Sequence, residues 1–276
     1  LLYDEDDVLS GLPKAVLAKR HLEEINSTVR VEAVVAHLGS SNVLKLVDDV
    51  HVIMDGSDNI ATRHLINEAS VKTGKPWIHG GAVGSTGNVM CFVPRRTPCF
   101  ACIFPDSNAS TQIPTCETAG ILGPAATIVA SLEVMEAIKL LVGDLRSLLP
   151  GMLTVDAWEG SYRVVDMGTA VRGDCSCCGK RDFKYLEGRA GSESVVLCAR
   201  DAYQVAPAIP LSLDLKRISK TIQAAEIVAE NDHLIRFQAE ELGVILFHDG
   251  RAIIEGTPDA EEARQVYTHI LTAISA

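Results

Sequence analysis

The residues best spaced for chemistry in this chain are cysteines. Cys99 and Cys102 form one Cys-x-x-Cys pair, and Cys175 and Cys178 form a second far along the sequence. Two intervening residues let both sulfurs of a pair face one point, so each pair fits two corners of a tetrahedral zinc site. Four thiolates leave no open coordination position, which makes such a centre structural. The long separation makes it a clamp between distant segments rather than a small finger. Cys177 is an alternative ligand within the second pair, but Gly179 after Cys178 favours Cys175 and Cys178, because glycine lets backbone amides turn towards sulfur. A redox pair is the competing reading.

The cluster Asp55-x-x-Asp58-Asn59 follows a buried apolar run, His51-Val-Ile-Met-Asp55. In open α/β sheets ligands settle at the carboxyl ends of the strands, and a carboxylate there can hold Mg²⁺ together with phosphate oxygens. Asn59 can cap the next helix or bond a ribose or phosphate, and the plain alternative is helix capping by Asp58. Lys14 stands in the first turn of a helix, a poor place for a cation unless a polyphosphate lies there too. Cys116 lies in a long loop ahead of the helix that Pro124 opens, where the positive helix end favours thiolate over thiol. Cys91 and Cys198 sit in strand-like surroundings and read as core residues. The histidines show no metal-ligand spacing.

The elements that must position these groups alternate between strand and helix. Residues 13 to 25 read as a helix, 29 to 36 alternate like a strand, and a short helix covers 40 to 48. Strand 51 to 55 runs into a helix from 60 to 72 that Gly74 and Pro76 end. Strands follow at 77 to 82 and 87 to 93, then an aperiodic stretch from 103 to 123, long enough to read as a functional loop. A strong helix from Pro124 carries Ile128, Leu132, Met135, Ile138 and Val142 as its apolar positions and stops at Gly143. Strands at 152 to 157 and 162 to 167 flank the turn Trp158-Glu-Gly-Ser161. Beyond a linker at 188 to 192, short strands at 195 to 197, 234 to 237 and 244 to 247 precede a closing helix from Pro258 to about Ile274. The pattern predicts an α/β fold, Rossmann-like with a mainly parallel sheet, an antiparallel extension and a structural zinc site, plus a small α+β appendage. The domains are expected at 1–187 and 188–276.

Bulk properties narrow the function. The 276 residues can bury one full core and a small appendage, and no apolar run reaches the roughly 18 to 20 residues of a membrane span. A net charge of −11 argues against a nucleic-acid surface. Eight cysteines without a signal peptide suit the cytoplasm, where thiols serve metal or redox chemistry.

Taken together, the residues resemble the ThiF/MoeB/HesA family of ubiquitin-activating-like adenylyltransferases, and within it the thiazole-biosynthesis ThiF type. The resemblance runs through Leu12-Pro-Lys14-Ala15, Leu22-Glu-Glu-Ile-Asn26, Asp55-x-x-Asp58-Asn59-x-x-x-Arg63-x-x-x-Asn67, Pro98-Cys99-x-x-Cys102, Thr115-Cys116-Glu-Thr-Ala-Gly-Ile-Leu-Gly-Pro124, Glu136-Ala-Ile-Lys139 and Cys175-x-x-Cys178-Gly179. It covers residues 1 to 187 in unbroken order, and Asp249-Gly-Arg-Ala-Ile-Ile-Glu-Gly-Thr257 resembles an extension found on some ThiF-type proteins. The resemblance implies a homodimer that uses ATP and Mg²⁺ to adenylylate the C-terminal glycine carboxylate of a ThiS/MoaD-like β-grasp sulfur-carrier protein, in thiamine or molybdopterin biosynthesis. It assigns Asp58 as the catalytic, Mg²⁺-binding carboxylate with Asn59 beside it, Lys14 as a phosphate-contacting lysine, and Cys99, Cys102, Cys175 and Cys178 as Zn²⁺ ligands. Cys116 matches the cysteine that handles sulfur transfer in some members, with a sulfurtransferase or cysteine desulfurase as a further partner.

One departure stands out. The family's Gly-x-Gly-x-x-Gly phosphate loop and its Asn-Leu-x-Arg-Gln segment are not in this sequence, and Gly80-Gly-Ala-Val-Gly84-Ser-Thr-Gly87 resembles the family's hairpin instead. The expectation is a fragment rather than a degenerate relative, one that alone binds ATP poorly. Two other readings compete with the carrier adenylyltransferase: a relative that adenylylates another peptide tail, and a non-catalytic zinc-stabilised scaffold that docks a β-grasp partner.

Overall fold

The computed structural model describes residues 2–105, 119–190, 194–197, 202–207, 211–222, 226–239 and 241–275. The chain divides into two compact units, one formed by Leu1–His37 with Ser192–Ala276 and the other by Leu38–Gly191.

The central unit, 38–191, carries a five-stranded sheet in sequence order: β1 (Ile53–Asp55), β2 (Trp77–Val83), β3 (Thr86–Phe92), β4 (Gly151–Asp156) and β5 (Ser161–Asp166). β1 pairs with β2 in parallel, Asp55 opposite His79, and the remaining pairs are antiparallel. The α/β class with its antiparallel extension thus holds, but the expected mainly parallel character reduces to the β1–β2 pair among the described residues. Part of the reason lies at 29–36. Val31, Ala33 and Val35 are partly buried and their neighbours exposed, yet the run forms no ladder, since an alternating segment becomes a strand only when another backbone takes up its hydrogen bonds.

Helices α3 (Val43–Leu46), α4 (Ile60–Thr73), α5 (Phe100–Ile103) and α6 (Gly123–Leu141) pack around this sheet. Asn59 caps α4, its Oδ1 accepting from the Thr62 amide at 2.8 Å, and Gly74 ends it in the left-handed conformation with φ 77°. One face of the sheet meets α4 and α5 through Ile66, Trp77, Phe92 and Phe100, with the Trp77 and Phe92 rings stacked at 4.7 Å. The other meets α6 through Ile78, Val89 and Val129. The glycine-rich stretch belongs to this second contact. A Cβ on Gly80 would lie 2.3 Å from Cδ of Glu133, and one on Gly87 would lie 2.3 Å from a Val129 methyl, so both glycines let the helix sit against the strands.

Helix α6 runs where the sequence predicts it, but its inner face differs. Ala125, Val129, Glu133 and Glu136 are buried, while Met135, Ile138 and Leu141 are about half exposed. Glu136 is held inside because it accepts from the Leu149 amide at 2.9 Å and from the Cys91 thiol, and pairs with Lys139.

The other unit, 1–37 with 192–276, holds α1 (Glu5–Ser10), α2 (Lys14–Ile25) and six antiparallel strands. These are β6 (Ser194–Leu197), β7 (Ala202–Val205), β8 (Glu226–Glu230), β9 (Leu234–Ala239), β10 (Leu242–Phe247) and β11 (Ala252–Glu255), in the order β6-β7-β11-β10-β9-β8. Together with α7 (Leu215–Thr221) and α8 (Ala260–Ser275) they form the expected α+β arrangement. Its core joins Ile235, Phe237, Val244, Leu246 and Ile254 to Leu215, Ile218, Ala263 and Tyr267. The Asn231 side chain donates to the Gly11 carbonyl at 3.2 Å, which ties the N-terminal segment to this unit. No helix among the described residues is long and apolar enough to cross a membrane.

Candidate active site and metal centre

Two groups of side chains in the central unit meet the chemistry the sequence points to. The first lies where β1 gives way to α4. Asp58 is exposed there, its carboxylate accepting from Asn59 Nδ2 at 3.2 Å. Asn59, not Asp58, caps the helix, so the Asp58 carboxylate is not consumed by a capping role.

Directly beneath is a buried network that sequence reasoning did not foresee. Asp55 is 2% exposed, and its Oδ1 accepts from the Ser57 amide and hydroxyl at 2.9 and 2.5 Å. Its Oδ2 accepts from Arg63 Nε and His79 Nδ1, both at 3.0 Å. Arg63 also donates through Nη2 to the carbonyls of Ser57 and Gly80, and His79 Nε2 meets Asn88 Oδ1 at 2.8 Å. Burial alone would push the Asp55 carboxyl up; the hydrogen bonds from His79 and Ser57 and the Arg63 charge more than offset it, and Asp55 sits below the usual carboxylate range. The network holds Asp55 and Ser57, just ahead of Asp58, while the Asn59 cap holds the residue after it.

Glu133 faces this network from α6. It is 9% exposed, its Oε1 has no hydrogen-bond partner among the described residues, and burial together with the nearby Asp55 charge raises it to about 7, with Arg63 pulling the other way. A carboxyl titrating near neutrality beside a fixed carboxylate and a guanidinium is poised to change charge in the working pH range.

The second group is the cysteine cluster. The sulfurs of Cys99, Cys102, Cys175 and Cys178 all lie within 4.8 Å of one another, and three of the four residues are buried. The separations Cys99–Cys102, Cys99–Cys175 and Cys102–Cys178 are 3.8, 3.7 and 3.4 Å. A tetrahedron with zinc–sulfur bonds of about 2.3 Å has edges of about 3.8 Å, so the donor set fits a Zn²⁺-sized thiophilic ion. Hydrogen bonds, first from Cys177, pull Cys99 well down, whereas burial pushes Cys102 and Cys178 up. Gly179 is required at the second knuckle, since a Cβ there would come 2.6 Å from the Gly173 carbonyl oxygen and 2.8 Å from that of Cys175.

Cys177 is 2% exposed and lies beside the cluster, where it accepts from Asn67 Nδ2 at 3.2 Å. Asn67 Oδ1 accepts from the Phe100 amide at 2.8 Å, so one wholly buried side chain of α4 ties both cysteine segments. One position on, Glu68 accepts from the amides of Tyr185 and Leu186, both at 2.9 Å.

Of the other sequence-predicted residues, Lys14 is exposed at the start of α2 and belongs to the other unit. Cys116 and Cys198 lie outside the described residues. Cys91 is a core residue as expected, 2% exposed. The i, i+4 run Asn59, Arg63, Asn67 was the available signal for the second and third of these, three polar side chains on one helix face. His79 and Glu133 carried no such signal.

Comparisons with known proteins give the class of protein to which this fold belongs. The ThiF family model matches residues 1–177, and the chain belongs to the ThiF family. It is 36% identical over 270 residues to the sulfur carrier protein ThiS adenylyltransferase of Bacillus subtilis, covering 96% of this chain and 78% of that protein. It is 36% identical over 184 residues to the sulfur carrier protein adenylyltransferase of Thermus thermophilus, covering 65% of this chain and 66% of that one. Among solved structures, E. coli MccB with ATP shares the fold over 65% of this chain and 54% of its own, with a TM-score of 0.53 at 21% identity.

Proposed function

We propose that this protein is an ATP-dependent adenylyltransferase acting on the C-terminal glycine carboxylate of a ThiS-like sulfur-carrier protein. The observation that supports the reading is the exposed Asp58 carboxylate just past the tip of β1, next to the buried Asp55–Arg63–His79 network. Similarity to the ThiS adenylyltransferase over 96% of the chain, which takes in the region beyond 187, favours the thiazole branch over molybdopterin.

In this reading a carrier carboxylate oxygen attacks the α-phosphorus of ATP. The bond to the bridging oxygen breaks, and an acyl-adenylate and pyrophosphate result. Nucleophile and nucleotide are both anionic, so the barrier is largely charge repulsion and charge build-up on the leaving group. Asp58 would hold Mg²⁺, which when bound would supply counter-charge to the phosphates. Asn59 orients the Asp58 carboxylate, and Arg63 and His79 keep Asp55 ionised. The cysteine cluster holds Zn²⁺ as a clamp. Cys116 is assigned to sulfur handling on the activated carrier, with a sulfurtransferase or cysteine desulfurase as donor.

The adenylation domain is taken as 1–187 and the extension as 188–276, in a cytoplasmic homodimer. The dimer is supported by the exposed apolar stripe Val134, Met135, Ile138 and Leu141 on α6. The test is carrier-dependent ATP–pyrophosphate exchange by the full-length protein. Asp58→Asn should lower exchange at least about 10²-fold with melting little changed, because the side chain is exposed and Asn59 is the residue that caps α4. Exchange that proceeds equally well in the variant removes Asp58 from the chemistry. No exchange with any ThiS- or MoaD-like carrier favours the scaffold reading.

A further inference from the structure

A cavity of about 300 Å³ opens in the central unit beside the cysteine cluster, on the far side of α4's Asn67 from the turn that carries Asp58. Arg95, Arg96 and Arg181 line it, together with Trp77 and Phe92, and no aspartate or glutamate does. In a chain of net charge −11 that is an unusual concentration of one sign. None of the three guanidiniums makes an ion pair or hydrogen bond among the described residues, although Arg181 lies over the Phe183 ring at 5.4 Å. Arg95 and Arg181, at φ 68° and 55°, are also the two non-glycine residues with left-handed backbone among the described residues. Both therefore hold a conformation that costs folding energy, and both are exposed at the cavity.

A second observation is independent of the arginines. Trp77 lies against the cavity, is wholly buried, and its Nε1–H has no acceptor among the described residues. Buried donors are ordinarily paired, so this one marks an unmet polar group at the cavity floor. Cys99 and Cys178 form part of the same wall. A divalent ion bound by four thiolates carries two net negative charges, which three guanidiniums more than balance.

We propose that this cavity binds a small molecule that joins an oxyanion, phosphate or carboxylate, to an apolar body. The guanidiniums take the oxyanion through paired N–H donors, and Val93, Pro94 and Val171 take the body. The site is separate from the adenylylation centre and does not depend on that assignment.

Both tryptophans of the chain lie in this unit, and Trp158 is 77% exposed. In a metal-loaded Trp158→Phe protein the fluorescence is therefore that of Trp77 alone. Phenyl phosphate and benzoate are titrated against it at constant ionic strength, with sodium chloride as control. A saturable change with either probe, weakened at least about tenfold by Arg95→Gln or Arg181→Gln, supports the site. The stronger of the two probes identifies the oxyanion. Arg96→Gln, at an ordinary backbone position, replaces these variants if they fail to melt cooperatively, with the same loss expected. Asp58→Asn should leave the affinity unchanged. The proposal is overturned if neither probe saturates, if chloride reproduces the change, or if Asp58→Asn abolishes binding while the arginine variants keep it.

Discussion

Glu133→Gln isolates the free energy stored in one buried carboxyl. Its folded-state value near 7 stands above the ordinary 4.5, because burial and the Asp55 charge oppose ionisation. The folded protein therefore holds this proton more tightly than the unfolded chain. Stability from this group is fully present below about pH 4.5 and is lost as pH rises through about 7, above which the loss is constant. The span from 4.5 to about 7 sets that loss at no more than about 3 kcal/mol, with Arg63 and local relaxation reducing it. Glutamine keeps the shape against Gly80 and cannot ionise. At pH 8 the variant should melt roughly 5–10 °C higher than the parent, with the gap closing towards pH 4.5. Tryptophan fluorescence follows this unit alone, since Trp77 and Trp158 both lie within it. A gap that stays constant from pH 4.5 to 8, or a variant less stable at pH 8, refutes the argument.

Three further perturbations address the surrounding structure. Gly80→Ala places a methyl 2.3 Å from Glu133 Cδ and should cost about 1–3 kcal/mol by denaturant melting, most of it recovered in the Gly80→Ala/Glu133→Ala double variant; simple additivity would contradict the contact. Arg63→Leu strands the buried Asp55 charge, and a loss of about 3–5 kcal/mol at neutral pH is expected in the same assay; a change below 1 kcal/mol would show the pair to be inconsequential. Cys99→Ser should reduce bound zinc from one per chain to near zero by elemental analysis, with a lowered melting temperature that added zinc does not restore, whereas full zinc content would point to a ligand set using Cys177.

Much of the central unit is legible from the chain itself. Strands β1 to β5, α4 and the four cysteines announce themselves through apolar runs, a glycine stop and a two-residue spacing, all of them local signals. What escapes such reading depends on partners remote in sequence. Apolar periodicity on α6 picks out Met135 and Ile138, which are exposed, while Glu133 and Glu136 are buried. Glu136 is inside because of the Leu149 amide and Lys139, and no hydropathy pattern can anticipate a carboxylate satisfied by a backbone group from another segment. His79 reads as an ordinary strand residue, and only the parallel register of Asp55 opposite His79 turns it into a carboxylate partner. The run 29–36 shows the converse error, since alternation was correctly read but pairing was not.

The position of Asn67 has a consequence for supply of the metal. Helix α4 spans 14 residues, about 20 Å, with Asn59 at its tip, Arg63 one turn in and Asn67 bolted to both sulfur-bearing loops one turn further. A rod gripped at its middle transmits what happens to the grip. If the knuckles hold zinc as proposed, slackening on its loss would be felt along this rod at the Asp58 turn.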